Sequence, residues 1–228
     1  MKKMWCIPPK HNAAFVANME DVLEVYARPY NADFPVVCMD EKPFQLLDER
    51  YKPIPMGGKN PVLKYDCEYE RKGTCSIFMF TEPLAGWRHT IALAQRTRFD
   101  WANRIKWLLD EQYPSAKKVV LVMDNLNTHG IHSLYDTFPP EEAFRLAQRL
   151  EIHFTPKHGS WLNIAELELS ALSIQCLEQR RIPSIDLLNI HLLAWFSDRN
   201  ILQKGVSWQF TNSVARVKLK SLYPVVMF

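Results

Sequence analysis

An unbroken run of five apolar residues, Val119–Met123, leads straight into Asp124 and is the feature that most restricts the fold. Such a run between polar neighbours is typical of a strand buried on both faces, as in a mostly parallel sheet covered by helices. Asp124 then stands at the carboxyl end of the strand, where open α/β sheets bind their ligands. An Asp-Asn pair also starts turns readily, so this aspartate alone does not distinguish a site from a turn.

A second aspartate has the same setting. Asp40 follows the apolar residues 36–39 and is predicted to end a strand there. Before it, residues 13–27 carry apolar side chains at helical spacing, and residues 28–35 break that helix. Two apolar strands that each finish in aspartate call for one explanation.

The remaining segments predict an α/β fold. Residues 73–86 and 88–95 are predicted to form a hairpin antiparallel to the first strand, and residues 98–114 a helix. After Asp124, the predicted elements are a helix from the paired prolines at 139–140, a fifth strand at 151–156, a long helix over 160–181 and a last helix from residue 184. This order indicates a mixed five-stranded sheet flanked by helices.

Composition narrows the class of protein. A chain of 228 residues with 47% hydrophobic composition can bury the core of one domain, and a net charge of +3 permits an anionic partner without demanding one. Five cysteines without a CxxC pair indicate neither a zinc ribbon nor a closed disulfide framework. No apolar run approaches the roughly 18 residues of a membrane span, so we expect a cytoplasmic protein that does not enter the membrane.

A third carboxylate, Glu166, lies in the long predicted helix. At 100° per residue it falls within an apolar stripe and Glu168 points roughly the opposite way, although the helix is apolar nearly all round. The pattern favours Glu166 over Glu168 as the glutamate inside the stripe without excluding Glu168, and we expect Glu166 to have a partner there: an arginine or lysine, a shifted pKa or a metal ion. The stripe consists of Leu162, Leu169, Ser173 and Leu177.

Asp40, Asp124 and Glu166, without a cysteine or paired-histidine ligand set, suit a hard cation such as Mg²⁺ or Mn²⁺. Two such ions about 4 Å apart stabilise both oxygens of an in-line phosphoryl displacement, which is nuclease or strand-transfer chemistry. A glycosidase is the competing enzyme class, but it needs one acid and one base or nucleophile rather than three converging carboxylates. Metal dependence separates the two classes.

Three ordered motifs, "VVCMDEKPFQL", "VVLVMDNLNTH" and "HFTPKHGSWLNIAELE", resemble the DDE catalytic domain of bacterial insertion-sequence transposases in the Tc/mariner superfamily. The resemblance extends from about Trp5 to Pro224. It implies a ribonuclease H-like fold in which Asp40, Asp124 and Glu166 ligate two Mg²⁺ ions, with Mn²⁺ as a substitute. It also implies cleavage at the ends of a mobile element and transfer of the freed 3′ end into target DNA, usually at TA.

The same resemblance sets expectations for organisation and partners. Residues 1–32 are expected to form a lead-in helix and residues 33–228 the catalytic domain, without the helix-turn-helix region that reads the element's ends. The expected partners are transposon-end and target DNA and further copies of this chain; bound to DNA, the protein is expected at the nucleoid. A catalytic fragment, a frameshifted reading frame and a remnant that needs a separate DNA-binding chain are three open explanations for the missing region. The alternative is a remnant that has lost catalysis and acts only in DNA binding or assembly.

Residues next to the carboxylates have two interpretations each. Asn125 and His129 either orient a metal-bound water or contact phosphate, or they cap the turn after Asp124. Glu41 is expected to face the other side of the strand, where it supports the site or is exposed. His129 and His132 have the spacing HxxH, which is weak evidence for zinc without softer ligands.

Basic and aromatic residues are candidates for DNA contact. Lys157 and His158, just before the glutamate helix, are suited to phosphate contact. Trp161 either stacks on a base or packs at the start of the helix. Arg216 and Lys218, with Arg180, Arg181 and Lys220, form either a DNA track or a solvated surface.

Overall fold

A five-stranded sheet is the centre of the fold. The computed structural model describes residues 12–59, 61–126, 129–178 and 180–224. Its strands are β1 (Val36–Glu49), β2 (Tyr69–Glu82), β3 (Trp87–Leu93), β4 (Val119–Met123) and β5 (Leu150–Phe154). They lie in the order β3-β2-β1-β4-β5. Strand β2 pairs antiparallel with both β1 and β3, and β4 pairs parallel with both β1 and β5. The mixed five-stranded sheet is therefore confirmed.

Helices cover both faces of the sheet. They are α1 (Ala13–Ala27), α2 (Arg98–Trp107), α3 (Ile131–Thr137), α4 (Pro140–Gln148), α5 (Ile164–Leu172), α6 (Ile185–Leu202) and α7 (Asn212–Lys218). The helices α1, α5 and α6 pack on one face, and α2, α3 and α4 pack on the other. In the part of the chain that the structure describes, no helix has the length and apolar character needed to cross a membrane.

Strand β4 explains why the sheet needs two helical layers. Val120 and Val122 belong to the core on the α1 and α5 side, whereas Val119, Leu121 and Met123 belong to the core on the α2 side. All five side chains are fully buried. Because successive side chains of a strand point to opposite faces, only a strand covered on both sides can be apolar throughout. The prediction for this segment is confirmed.

Three predictions about the elements are wrong. Asp40 does not end its strand, because β1 keeps its antiparallel pairing with β2 as far as Glu49. The long helix is interrupted: a 3₁₀ turn (Ser160–Leu162) precedes α5, and a π-helical turn (Ser173–Leu177) follows it. Another π-helical turn (Leu108–Gln112) replaces the end of the helix predicted over 98–114. In addition, the structure contains helix α3, for which there was no prediction.

His89 lies among aromatic rings at the β3 edge of the sheet. Its ring centroid is 4.2 Å from that of Trp107 and 5.0 Å from that of Phe196. Its Nε2 atom is buried, and no hydrogen-bond partner for it occurs among the described residues. Burial, with a smaller contribution from the charge of Arg104, lowers the pKa of His89 to about 4.

This buried histidine predicts acid sensitivity. Between pH 6.5 and 4 the unfolded chain binds a proton at residue 89 before the folded chain does, so stability falls as the pH falls. We expect wild type to lose about 2 kcal/mol more than His89→Phe between pH 7 and pH 5. Urea unfolding at both pH values measures the difference, with exposed His158→Gln as the control. An equal loss in wild type and His89→Phe would contradict the assignment.

Candidate active site

The parallel register of β1 and β4 brings the two aspartates together. Cys38 of β1 lies opposite Val122 of β4, and this is the last residue pair of their ladder. Asp40 and Asp124 follow two residues after that pair, where the two strands are no longer paired with each other. Both side chains therefore leave the sheet on the same face, at the carboxyl edge of β4. Asp124 ends its strand as predicted.

Asn163 adds Glu166 to this edge. Its side-chain oxygen accepts a hydrogen bond from the backbone N–H of Ala165 at 3.1 Å and so caps α5, while its amide donates to the carbonyl of Met39 at 2.8 Å. The start of α5 is thus tied to the residue just before Asp40. Glu166 lies in the first turn of this helix, and all three carboxylates line one open pocket of about 480 Å³.

The predicted burial of the two glutamates in α5 is reversed. Glu166 is exposed, and Glu168 is the buried carboxylate, with 5% of its surface accessible. Arg88, itself buried, places Nε 3.1 Å from Glu168, and Arg199 donates to the same carboxylate at 3.1 and 3.2 Å. The helical wheel failed because three of the four residues that defined the apolar stripe, Leu162, Ser173 and Leu177, lie outside α5. They belong to the 3₁₀ and π-helical turns, which do not advance by 100° per residue.

Burial, reinforced by repulsion between the carboxylates, raises the pKa of Asp40 in the pocket. Burial raises the pKa of Asp40 to about 7; the backbone N–H of Glu41, 2.7 Å from Asp40 Oδ1, opposes this rise, and the charges of Asp124 and Glu166 add to it. A cation between the carboxylates would relieve this repulsion.

The donor set fits a hard divalent cation held loosely. Across the described residues, no three His, Cys, Asp or Glu side chains are grouped closely enough to hold a metal ion by themselves. Mg²⁺ does not need one, because it keeps several waters and is usually held by one or two carboxylates together with phosphate oxygens of the substrate. The carboxylates of Asp40, Asp124 and Glu166 in an open pocket meet that requirement; Glu41 also borders the pocket, but its side chain is only 2% exposed.

His129 bridges two carboxylates instead of capping a turn with its ring. Its Nδ1 atom lies 2.9 Å from Asp124 Oδ1, and its Nε2 atom lies 3.0 Å from Glu41 Oε1. Burial lowers the pKa of His129, but the bonds to Asp124 and Glu41 outweigh this effect and raise the pKa to about 9. Glu41 is thus buried behind the site, and not exposed.

A second cavity of about 650 Å³ continues the pocket past Asp124. It shares Asp124, Thr155 and Ser160 with the first, so the two form one groove. Asn125, Lys157 and His158 are exposed in its lining, at positions that fit phosphate contact.

The other candidates lie away from the groove lining. Trp161 is partly buried and packs against Phe210, at 5.9 Å between ring centroids, which favours its packing role. Both Nε and Nη2 of Arg216 donate to Glu20 at 2.8 Å, so this guanidinium is already paired. Lys218 is exposed on the same helix, α7.

The sequence analysis missed two residues of the site. Lys42 lies two residues after Asp40, contributes a positive charge to the pocket lining and donates to the hydroxyl of Ser173. The alternation of side chains along a strand would have placed it on the same face as Asp40. Asn163 was detectable as a cap residue before α5, but its bond to Met39 is a long-range contact that periodicity does not contain.

Comparisons with known proteins identify the fold. Residues 35–189 match the family model described as DDE superfamily endonuclease. The Mos1 mariner paired end complex with Mn matches with a TM-score of 0.55 and 15% identity, over 90% of this chain and 63% of that one. The corresponding complex with Mg matches with a TM-score of 0.58 and 15% identity, over 99% and 67%.

A third structure, the Mos1 strand transfer complex, has a TM-score of 0.55 and 14% identity, over 90% of this chain and 62% of that one. The chain thus spans slightly less than two thirds of the first of these relatives. The likeness confirms the ribonuclease H-like fold, although Trp5, where the sequence resemblance begins, lies outside the described residues. No curated protein matches the chain significantly.

The two glutamates of α5 should respond oppositely to removal of charge. We expect Glu168→Gln to lower the free energy of unfolding by about 3 kcal/mol, because it leaves Arg88 buried with an uncompensated charge. Exposed Glu166→Gln should change it by less than about 1 kcal/mol. Urea unfolding in EDTA measures both variants. A greater loss for Glu166→Gln would contradict the burial described here.

Proposed function

Because the chain belongs to the DDE superfamily endonucleases, we propose that it is a transposase catalytic domain that cleaves DNA and transfers the freed 3′ end to target DNA. The observation that carries the proposal is the meeting of Asp40, Asp124 and Glu166 in one open pocket. The similar Mos1 structures, which are paired end and strand transfer complexes, support the same activity for this chain.

Divalent metal ions complete the proposed site. Asp40, Asp124 and Glu166 would hold two Mg²⁺ ions, with Mn²⁺ as a substitute, and the Mos1 complexes with Mn and Mg support this assignment. When bound, such ions stabilise the charge that develops on the attacking and leaving oxygens of a phosphodiester. The chain itself supplies three carboxylates, and the charges of Asp124 and Glu166 help to raise the pKa of Asp40, an effect that a bound cation would oppose.

The groove gives DNA a path past the carboxylates. Lys42 flanks them in one half of the groove, and Lys157 and His158 flank them in the other. A strand that runs through both halves presents one phosphodiester to the carboxylates and neighbouring phosphates to the basic side chains. Such phosphate contacts fix the position of the strand without reading its sequence.

The proposal extends to the origin and partners of the chain. We assign it to a bacterial insertion sequence of the Tc/mariner type, acting on cytoplasmic, nucleoid DNA, with transposon ends and a TA target as substrates. Residues 33–228 would be the catalytic domain. Exposed apolar residues between β1 and β2 support a homo-oligomer; they include Tyr51, Ile54, Met56, Val62 and Tyr65.

The central test of the function is metal-dependent cleavage. With millimolar Mn²⁺, we expect wild type to nick supercoiled plasmid and to gain about 1.4 kcal/mol in stability when Mn²⁺ is tenfold above its Kd. Asp124→Asn should lose both the cleavage and the stabilisation by Mn²⁺, because it removes one ligand charge. In EDTA, where no metal ion is bound, the variant and wild type should have the same stability.

Asp198→Asn is the matched control, since Asp198 is an exposed carboxylate on α6, outside the pocket. It should keep both the cleavage and the stabilisation. Nicking by Asp124→Asn at the wild-type rate would overturn the catalytic assignment. Wild type that neither nicks DNA nor gains stability would favour the inactive remnant that acts only in DNA binding or assembly.

Salt dependence tests the path of the DNA. Removing Lys157 should lower the slope of log Kd against log salt by about 0.9, the value for one lost phosphate contact. Arg216→Ala should change the slope less, because Arg216 is already paired with Glu20. Binding of a duplex in EDTA at several salt concentrations measures both slopes. A greater change for Arg216→Ala would place the DNA along α7 instead of the groove.

A further inference from the structure

A buried histidine connects the floor of the pocket to a carboxylate behind it. The side chains of His129 and Glu41 are 1% and 2% exposed, whereas that of Asp124 is 34% exposed. His129 meets Asp124 through Nδ1 and Glu41 through Nε2, at 2.9 and 3.0 Å. The three side chains thus form a line from the protein interior to the open pocket.

The ring of His129 is held on several sides. Trp101 stacks against it with 6.0 Å between ring centroids and 23° between ring planes. The backbone N–H of His129 donates to the carbonyl of Leu126 at 2.9 Å, which restrains the backbone of His129. The imidazole therefore has contacts besides Asp124 that hold it in place, from Trp101, Glu41 and its own backbone.

Asp124 has less support of its own. It follows the last residue of β4, and the terminal torsion of an aspartate is broad and roughly two-fold, so its carboxylate oxygens exchange easily. A hydrogen bond from a fixed ring to Oδ1 removes that freedom and leaves Oδ2 for the pocket. A hydrogen-bonded partner behind a ligand orients it in this way.

Glu41 is the buried carboxylate on the far side of His129 from Asp124. One of its oxygens, Oε1, meets His129, and the other, Oε2, is buried without a hydrogen bond within the described residues. Burial of a carboxylate with an unsatisfied oxygen is costly, and an apolar residue would pack there without that cost. The contact with His129 is thus the evident use of a charge at this position.

We propose that His129 and Glu41 are positioning residues, which orient Asp124 so that Oδ2 faces the pocket and thereby raise the affinity of the site for a divalent cation. This inference rests on the proposed function, in which Asp124 is a metal ligand. Glu41 holds His129, and His129 holds Asp124; neither residue contacts the cation or the DNA. Removing such a partner typically lowers metal affinity about 10- to 100-fold.

A Mn²⁺ titration tests the inference on the folded protein, with free Mn²⁺ measured from its electron paramagnetic resonance signal. We expect His129→Ala to weaken Mn²⁺ binding about 10- to 100-fold. His129→Asn should bind Mn²⁺ more tightly than His129→Gln. The amide of Asn reaches the position of Nδ1, beside Asp124, whereas the longer Gln side chain places its amide near the position of Nε2, beside Glu41. The Asn and Gln variants keep the comparison decisive if His129→Ala does not fold.

Leu134→Ala is the matched control for a purely structural effect, since Leu134 is fully buried in α3. It should lower thermal stability and leave Mn²⁺ affinity unchanged. DNA binding in EDTA should be the same in wild type and in all His129 variants. If wild type binds Mn²⁺ and the His129 variants bind it equally well, the inference is overturned while the proposed function stands. If wild type binds no Mn²⁺, the proposed function fails and the inference fails with it.

Discussion

The parallel pairing of β1 with β4 is the constraint on which the site depends. Its register, with Cys38 opposite Val122, sets Asp40 and Asp124 side by side on the same face of the sheet. A slip of one residue in either strand would turn its aspartate to the opposite face and its apolar side chains into the wrong core layer. The hydrophobic packing of β4 between two helical layers therefore also enforces the position of the carboxylates. The bond from Asn163 to the carbonyl of Met39 extends this control to Glu166, which belongs to a different layer.

Charge compensation distinguishes the structural carboxylate Glu168 from the carboxylates of the candidate site. Glu168 is buried and satisfied within the chain by Arg88 and Arg199, so it contributes to the link between α5, β3 and α6. Asp40 forms no salt bridge with any of the described residues, although Lys42 lies in the same pocket lining, and its pKa of about 7 reflects both burial and repulsion. A fold selected for stability alone has no reason to gather carboxylates without compensating charge. The groove that contains them has basic side chains on both flanks. This arrangement suits a polyanion whose phosphate oxygens complete the coordination of a metal ion held by the carboxylates.

Much of this arrangement could be predicted from the sequence, because periodicity reports burial directly. The apolar run of β4 predicted a strand covered on both faces, and the hairpin of β2 and β3 was also predicted. The sequence pattern does not contain long-range contacts, such as the pairing with β2 that continues β1 past Asp40. It also does not reveal the π-helical turn after α5, so the helical wheel wrongly placed Glu166 inside and Glu168 outside. Helix α3 is a single short element without a clear periodic pattern, so nothing marked it. The role of His129 also depends on a contact with Glu41, far away in the chain.

The most direct test of the central claim is the location of bound Mn²⁺ in a crystal of the protein, from its anomalous scattering. The account predicts one or two peaks inside the pocket, within coordination distance of carboxylate oxygens from Asp40, Asp124 and Glu166. The two oxygens of Asp124 should be distinguishable, with Oδ1 against His129 and Oδ2 toward the ion. Mn²⁺ bound at another cluster, with this pocket empty at millimolar Mn²⁺, would contradict it.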